Sequence, residues 1–268
     1  MPEGDTLART ARVLGNVLVG QQVVAARGRP GGAQLEWVVG RTVESVEARG
    51  KHLLIGFSGG LSLHTHLGLH GSWHRYRSGE RWRRPASRAV AVLDVASAVC
   101  VCFDAPRVEL IETRALALHP ALAGLGPDVA RPDFEPRAAL ARLRSEGRQD
   151  EAVGEALLDQ RAVAGLGNVW RNELCFIERL SPFSPLADVP DEVLLRLLER
   201  AARLVAASTQ SGRRVTTGSR AAPLFVYGRA GRPCRRCGTL VESRVAGERL
   251  RRVYWCPRCQ PRAPGAQP

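Results

Sequence analysis

CRRCGTLVESRVAGERLRRVYWCPRC, residues 234–259, spells Cys-x2-Cys, an eighteen-residue spacer, and Cys-x2-Cys again. Each pair can present two thiolates to one ion, and four thiolates close the tetrahedral shell of a zinc site. A redox CxxC would need only one pair. Because four ligands leave no open position, one Zn2+ held by Cys234, Cys237, Cys256 and Cys259 is expected to be structural. The same end of the chain is basic: residues 228–262 carry ten arginines against two glutamates. Thiolates and metal together lower that surplus by two. A cationic knuckle with Tyr254 and Trp255 between its strands suits a phosphate backbone, although a merely solvated basic surface has the same composition.

Upstream of this module the spacing of apolar residues is helical in PRAALARLRSEG (136–147), EAVGEALLDQRAV (151–163), GNVWRNELCF (167–176) and DEVLLRLLERAARLVAAS (191–208). In the last, Val193, Leu194, Leu197, Leu198, Ala201, Leu204 and Val205 read as core and imply no cofactor. A Gly-, Pro- and Asp-rich stretch, 121–136, reads as a linker. Before it come short β-rich runs, QQVVAARGR, RTVESVEARG, KHLLIGFS, LSLHTHLGL, AVAVLDVAS, AVCVCFDA and RVELIE. Several alternate apolar and polar residues, and turn signals separate them, which predicts a sandwich or barrel-like β domain ending near residue 118. Asp5 or Thr6 can cap an opening helix that runs to about Leu18 and stops at Gly20. The expected organisation is a β domain over 1–120, the linker, a helical domain over 137–222, the cysteine module over 223–262, and a frayed tail over 263–268.

The chain has 268 residues, 44% of them hydrophobic and 24% charged, as in a soluble globular protein. No apolar run approaches the roughly 20 residues that span a bilayer, and no signal peptide is evident, so a cytoplasmic location is expected. The net charge of +13 and pI near 10.7 point to a polyanionic partner. Nucleic acid fits better than a membrane, because no long basic amphipathic helix is present. Lys51 is the only lysine; the other 38 of the 39 basic residues are arginine. Base composition of the coding sequence explains the arginines and makes the surviving lysine more informative. Cys100, Cys102 and Cys175 read as small buried hydrophobes. His64, His66 and His70 share strand parity, so a histidine metal cluster is conceivable, but no carboxylate accompanies them at useful spacing.

Taken in order, PEG at the start, RGKHLL, HLGLHGSW, HPALAGLGPDV, ALLDQRAVAGLGNVWRNELCF, VYGRAGRPCRRCGTLV and YWCPRC resemble the formamidopyrimidine-DNA glycosylase and endonuclease VIII family of DNA repair enzymes. HGSW, GLGN and YWCPRC look closer to the endonuclease VIII branch. The resemblance covers nearly the whole chain. It implies an α+β multidomain fold: an N-terminal β-sandwich with flanking helices, a helix–two-turn–helix domain and a C-terminal zinc finger, with DNA bound between. The activity it implies is bifunctional, removing an oxidised pyrimidine and then cutting the strand by β/δ-elimination. Damaged double-stranded DNA is the implied partner, met in the nucleoid by a monomer with no small-molecule cofactor. Two alternatives stand beside this: a glycosylase for oxidised or ring-opened purines, and a lesion-binding protein without catalysis.

Residue by residue, the resemblance makes Pro2 the nucleophile, once loss of Met1 has freed its ring nitrogen, and Glu3 the general acid and base. Lys51 would reach the DNA near the lesion as a compact cation. Asn168 and Arg251 would grip the phosphate beside the flipped nucleotide, with Arg252 the fallback if the turn is shifted by one. Leu69, assisted by His70, would fill the vacancy in the duplex. The loop RRVTTGSRAAPLF (213–225) would cover the flipped base. Family members commonly carry a glutamate at position 6, where this chain has Thr6 after Asp5, and that leaves the balance of β- and δ-elimination open.

Overall fold

The computed structural model describes residues 1–248 and 250–261. The tail 263–268, and Arg262 at the expected end of the finger, lie outside the described residues. The chain divides into two compact units, one from Met1 to Gly124 and one from Leu125 on. Among the described residues no helix is long and apolar enough to cross a membrane.

The first unit opens with helix α1 (Gly4–Leu18), whose apolar stripe Leu7, Ala11, Leu14 and Leu18 is buried. Eight strands follow: β1 (Val23–Gly28), β2 (Val43–Arg49), β3 (His52–Phe57), β4 (Leu61–His66), β5 (Ser72–Tyr76), β6 (Ala89–Val95), β7 (Ala98–Phe103) and β8 (Arg107–Glu112). They form two antiparallel four-stranded sheets, ordered β1-β6-β7-β5 and β2-β3-β4-β8. Period-two alternation sorts their side chains. Leu53, Ile55 and Phe57 of β3, Leu63 of β4, Leu93 of β6, and Cys100 and Cys102 of β7 join the α1 stripe in one core. Val92, Val101 and Phe103 face the other way and pack with Tyr76 and Trp82. The sandwich is therefore as expected, with β5 an additional strand outside the β-rich runs read from the sequence. α1 begins earlier than expected. Its N-cap is Glu3, whose carbonyl accepts from the amides of Thr6 (2.8 Å) and Leu7 (3.0 Å), so Asp5 and Thr6 lie within the first turn.

The second unit is helical: α2 (Pro136–Leu143), a single turn α3 (Val153–Ala156), α4 (Asn168–Ile177) and α5 (Asp191–Ser211). α5 ends where Gly212 adopts φ +73°, a left-handed cap that a side chain would strain. Leu194, Leu197, Leu198, Ala201 and Val205 are fully buried, whereas Val193 and Leu204 are only half-buried at the stripe's margins. The segment 151–163 keeps one helical turn of its expected length. The cause is tertiary: Gly154 packs so tightly that an added Cβ would lie 2.7 Å from the Pro182 carbonyl, and the Gly154 amide donates to that oxygen. Part of the expected linker is likewise held in place, since Gly126 and Val129 donate to the carbonyls of Gln160 and Ala164. The hairpin of β9 (Glu242–Ala246) and β10 (Arg251–Trp255) closes the unit.

Glu173 of α4 is fully buried and organises the segment after α5. Its Oε2 accepts from the Phe225 amide (2.8 Å) and the Thr216 hydroxyl, and its Oε1 from the amides of Val226 and Tyr227, both at 2.9 Å. Removing the carboxylate strands four donors, at about 1–3 kcal/mol for each that stays dry. Glu173→Ala is expected to cost about 3 kcal/mol or more of stability, and Glu173→Gln less. Hydrogen exchange checks this directly: protection at the amides of 225–227 should fall first and furthest.

Candidate functional site

In the first unit Pro2 is half-buried immediately ahead of α1, and Glu3 is 1% exposed. The Glu3 side chain makes no capping bond to the helix it precedes. α1 packs on β2 and β3, and Lys51 stands on the two-residue turn joining those strands. Gly50 takes φ +58° there while Lys51 does not enter the left-handed region, the pattern of a tight hairpin turn led by glycine. Arg49 and His52 pair across the turn base. Leu69 is 46% exposed on the turn between β4 and β5, with His70 exposed beside it. Leu69 thus lies beyond β4, although the β-rich run LSLHTHLGL includes it. The histidine triple of common parity also dissolves, since β4 ends at His66 and His70 lies beyond it.

In the second unit the start of α4 is fastened to β10. Gly167 is the N-cap, so Asn168 is the first helical residue and not the cap. Its Nδ2 donates to the Arg252 carbonyl at 3.0 Å, and its Oδ1 accepts from the Arg171 guanidinium. Arg171, 0% exposed, also donates to the Arg252 carbonyl (3.3 Å) and pairs with Glu155 at 2.7 Å. Asn172 accepts from the Tyr254 amide at 2.6 Å. Arg251 and Arg252 are therefore carried on a strand whose backbone is held at two points by one helix. Arg171 and Asn172 were not foreseen from the sequence. The signal available was the polar triplet Arg171-Asn172-Glu173 in the middle of an otherwise apolar helix.

Not every arginine of the basic module is free to meet a partner. Arg235 donates to the Leu224 carbonyl (3.0 Å), Arg236 to that of Phe176 (3.1 Å), and Arg229 to that of Pro233 (2.9 Å). Arg244 lies 4.0 Å from the Phe183 ring centroid, a cation–π contact. Arg232 and Arg258 are exposed, as is Arg252, which donates to the Ser243 hydroxyl at 3.2 Å.

The sulfurs of Cys234, Cys237, Cys256 and Cys259 all lie within 4.8 Å of one another, with 3.9 Å between Cys234 and Cys259 and 3.5 Å between Cys237 and Cys256. A tetrahedron with metal–sulfur bonds of about 2.3 Å has edges of about 3.8 Å, so the four residues fit a metal ion. Their titration fits too. Hydrogen bonds from the Thr239 side chain and backbone bring the Cys237 thiol down to about 6, whereas burial and neighbouring sulfurs push Cys259 up to about 12. Sulfurs this close cannot all be thiolates unless a cation joins them.

Both units have counterparts among known proteins. The family model described as the formamidopyrimidine-DNA glycosylase N-terminal domain matches residues 1–110, and that for the H2TH domain of the same glycosylase matches residues 125–219. This chain belongs to the formamidopyrimidine-DNA glycosylase family. It is 43% identical over 266 residues to the probable endonuclease 8 2 of Streptomyces coelicolor, covering 97% of this chain and 94% of that one. It is 40% identical over 263 residues to the DNA-(apurinic or apyrimidinic site) lyase Nei2 of Mycolicibacterium smegmatis, covering 97% and 99%. Lactococcus lactis Fpg (MutM), solved with DNA containing N7-benzyl-Fapy-dG, shares the fold at 22% identity, with a TM-score of 0.83 over 97% of this chain and 100% of that one.

The remaining thiols behave oppositely to the cluster. Burial pushes Cys100 and Cys175 up to about 12 and raises Cys102 further. Counting thiols with a maleimide should therefore find almost none reactive in the metal-loaded native protein, four after chelation, and all seven only in denaturant.

Proposed function

We propose that this protein is a bifunctional DNA glycosylase and AP lyase of base excision repair that removes oxidised pyrimidines through the ring nitrogen of Pro2. What carries the proposal is the pair at the head of α1: a proline whose nitrogen is freed when Met1 is removed, followed by a carboxylate that is buried and makes no capping bond to its helix. Burying a carboxylate is costly, and functional sites are where such costs are met. Kinship with proteins named endonuclease 8 and Nei2 over nearly the full chain supports the same reading.

The chemistry follows from the two groups. The Pro2 nitrogen, a secondary amine of the class that titrates near pH 8, has a useful neutral fraction at pH 7. Its lone pair attacks C1′, the C1′–base bond breaks, and the leaving base takes a proton from Glu3. The C1′–O4′ bond then opens as the Pro2 N–H proton passes to O4′, and the resulting iminium acidifies the C2′ hydrogen. Abstraction of that proton by the Glu3 carboxylate expels the 3′ phosphate, and water then releases the enzyme. Lys51, on its glycine-led turn, supplies a cation for phosphate or the sugar oxygen. Asn168 spends one amide hydrogen on Arg252, so its role is partly to position β10, where Arg251 and Arg252 offer guanidinium groups to a phosphate. Leu69 and His70, exposed on their turn, are suited to occupy the place of the extruded nucleotide. The ion of the four-cysteine cluster is taken to be one zinc, which stabilises the hairpin and has no open position for chemistry.

Borohydride trapping tests this. With an abasic-site duplex the wild-type protein should give a covalent adduct, and Pro2→Gly should lose most of it. Glu3→Gln should remove bases at least 100-fold more slowly, the low end of what a positioned general acid contributes (about 10²–10⁴-fold). No adduct with wild type would leave a lesion-binding protein. A panel of single-lesion duplexes fixes the substrate, and faster release of 8-oxoguanine than of oxidised pyrimidines would reassign it.

A further inference from the structure

The outward face of the β2-β3-β4-β8 sheet carries side chains that none of this chemistry uses. His64 on β4 and Glu109 on β8 are direct cross-strand partners, and His119 reaches the same carboxylate from the turn beyond β8. We propose that His64, Glu109 and His119 form a second metal site, taking a divalent transition-metal ion of the zinc class.

Glu109 Oε2 lies 2.9 Å from Nδ1 of His64 and 3.2 Å from Nε2 of His119. One ligand atom from each of the three residues can be chosen so that all lie within 4.8 Å of one another. Donors held about 2.1 Å from one ion sit about 3.0–3.4 Å apart, so two of the three edges already have the right length. Two imidazoles and a carboxylate are a donor set that zinc, cobalt and nickel accept. The proton on His64 need not leave the protein. Nε2 of His64 is 2.8 Å from Nδ1 of His52. A shift of tautomer frees Nδ1 for the metal and turns Nε2–H toward His52, the outer hydrogen bond that metal-bound histidines commonly make. The Glu109 side chain is 39% exposed, which gives an ion a route in and leaves positions for water. Arg107 lies 4.0 Å from the other oxygen, Oε1, and opposes a cation, so binding should be weaker than at the four cysteines. The competing explanation is a hydrogen-bonded chain that needs no metal.

The two are separated by titrating Co2+ into the full chain with its cysteine cluster already filled with zinc. The expected result is one further ion per chain, with visible d–d bands and no thiolate charge-transfer band. Glu109→Gln and His119→Gln should each weaken it about ten-fold or more, whereas His74→Gln should not. Absence of a further ion at submillimolar cobalt overturns the proposal, as does binding indifferent to Glu109→Gln. If the variants melt below the wild type without metal, paramagnetic broadening in the wild type decides: His64 and His119 ring resonances must broaden first.

Discussion

A guanidinium with no access to water, that of Arg171, fixes the second unit. Taking such a charge out of solvent costs several kcal/mol unless every partner is present. Here the partners come from three elements: the Glu155 carboxylate of α3, the Asn168 side chain one turn earlier on α4 and the Arg252 carbonyl of β10. None of them can move away without leaving a buried charge, so α3, α4 and β10 must converge together. The placement of β10 then sets Val253 and Trp255 into the interior and brings Cys256 to the metal cluster. Glu173, two residues further along α4, does the same for the segment at 216–227 with backbone amides in place of a cation. One short helix, through its polar residues, thus anchors most of the later chain.

The first unit is organised by the opposite means. Its core is apolar and its strand alternation decides which residues enter it, so α1 lies over the sandwich because Leu7, Leu14 and Leu18 have nowhere drier to go. The head of α1 is consequently a rigid place from which to present residues 2 and 3.

What was legible in the sequence tracks how local the determining physics is. Strand alternation and CxxC spacing act over a few residues, and the sandwich and the cysteine cluster were read from them. The helical spacing at 151–163 was misleading because it encodes burial on many sides, and only Val153–Ala156 is helical. β5 is missing from the β-rich runs because SWHRY lacks a clear apolar alternation, and only its pairing with β7 makes it a strand. The histidine cluster was sought along one strand, whereas the carboxylate that completes it lies 45 residues away and is brought there by register. The partner of Asn168 is 84 residues distant, which no local pattern announces. The site residues expected near the N-terminus rest on motif order, since neither Pro2 nor Glu3 is distinctive by itself.

The sulfur of this protein is divided into two populations with different fates under oxidative stress. Cys100, Cys102 and Cys175 are dry and protonated, and peroxide attacks thiolates, so these three are shielded from sulfenic acid formation. The four clustered sulfurs are thiolates whenever a metal is bound, and Cys237 and Cys259 are half-buried. Damage by the agents that oxidise nucleobases would then begin at the hairpin, well before the catalytic sandwich is touched. Such a chain would lose its cationic finger before any buried thiol of the sandwich or of α4 is touched.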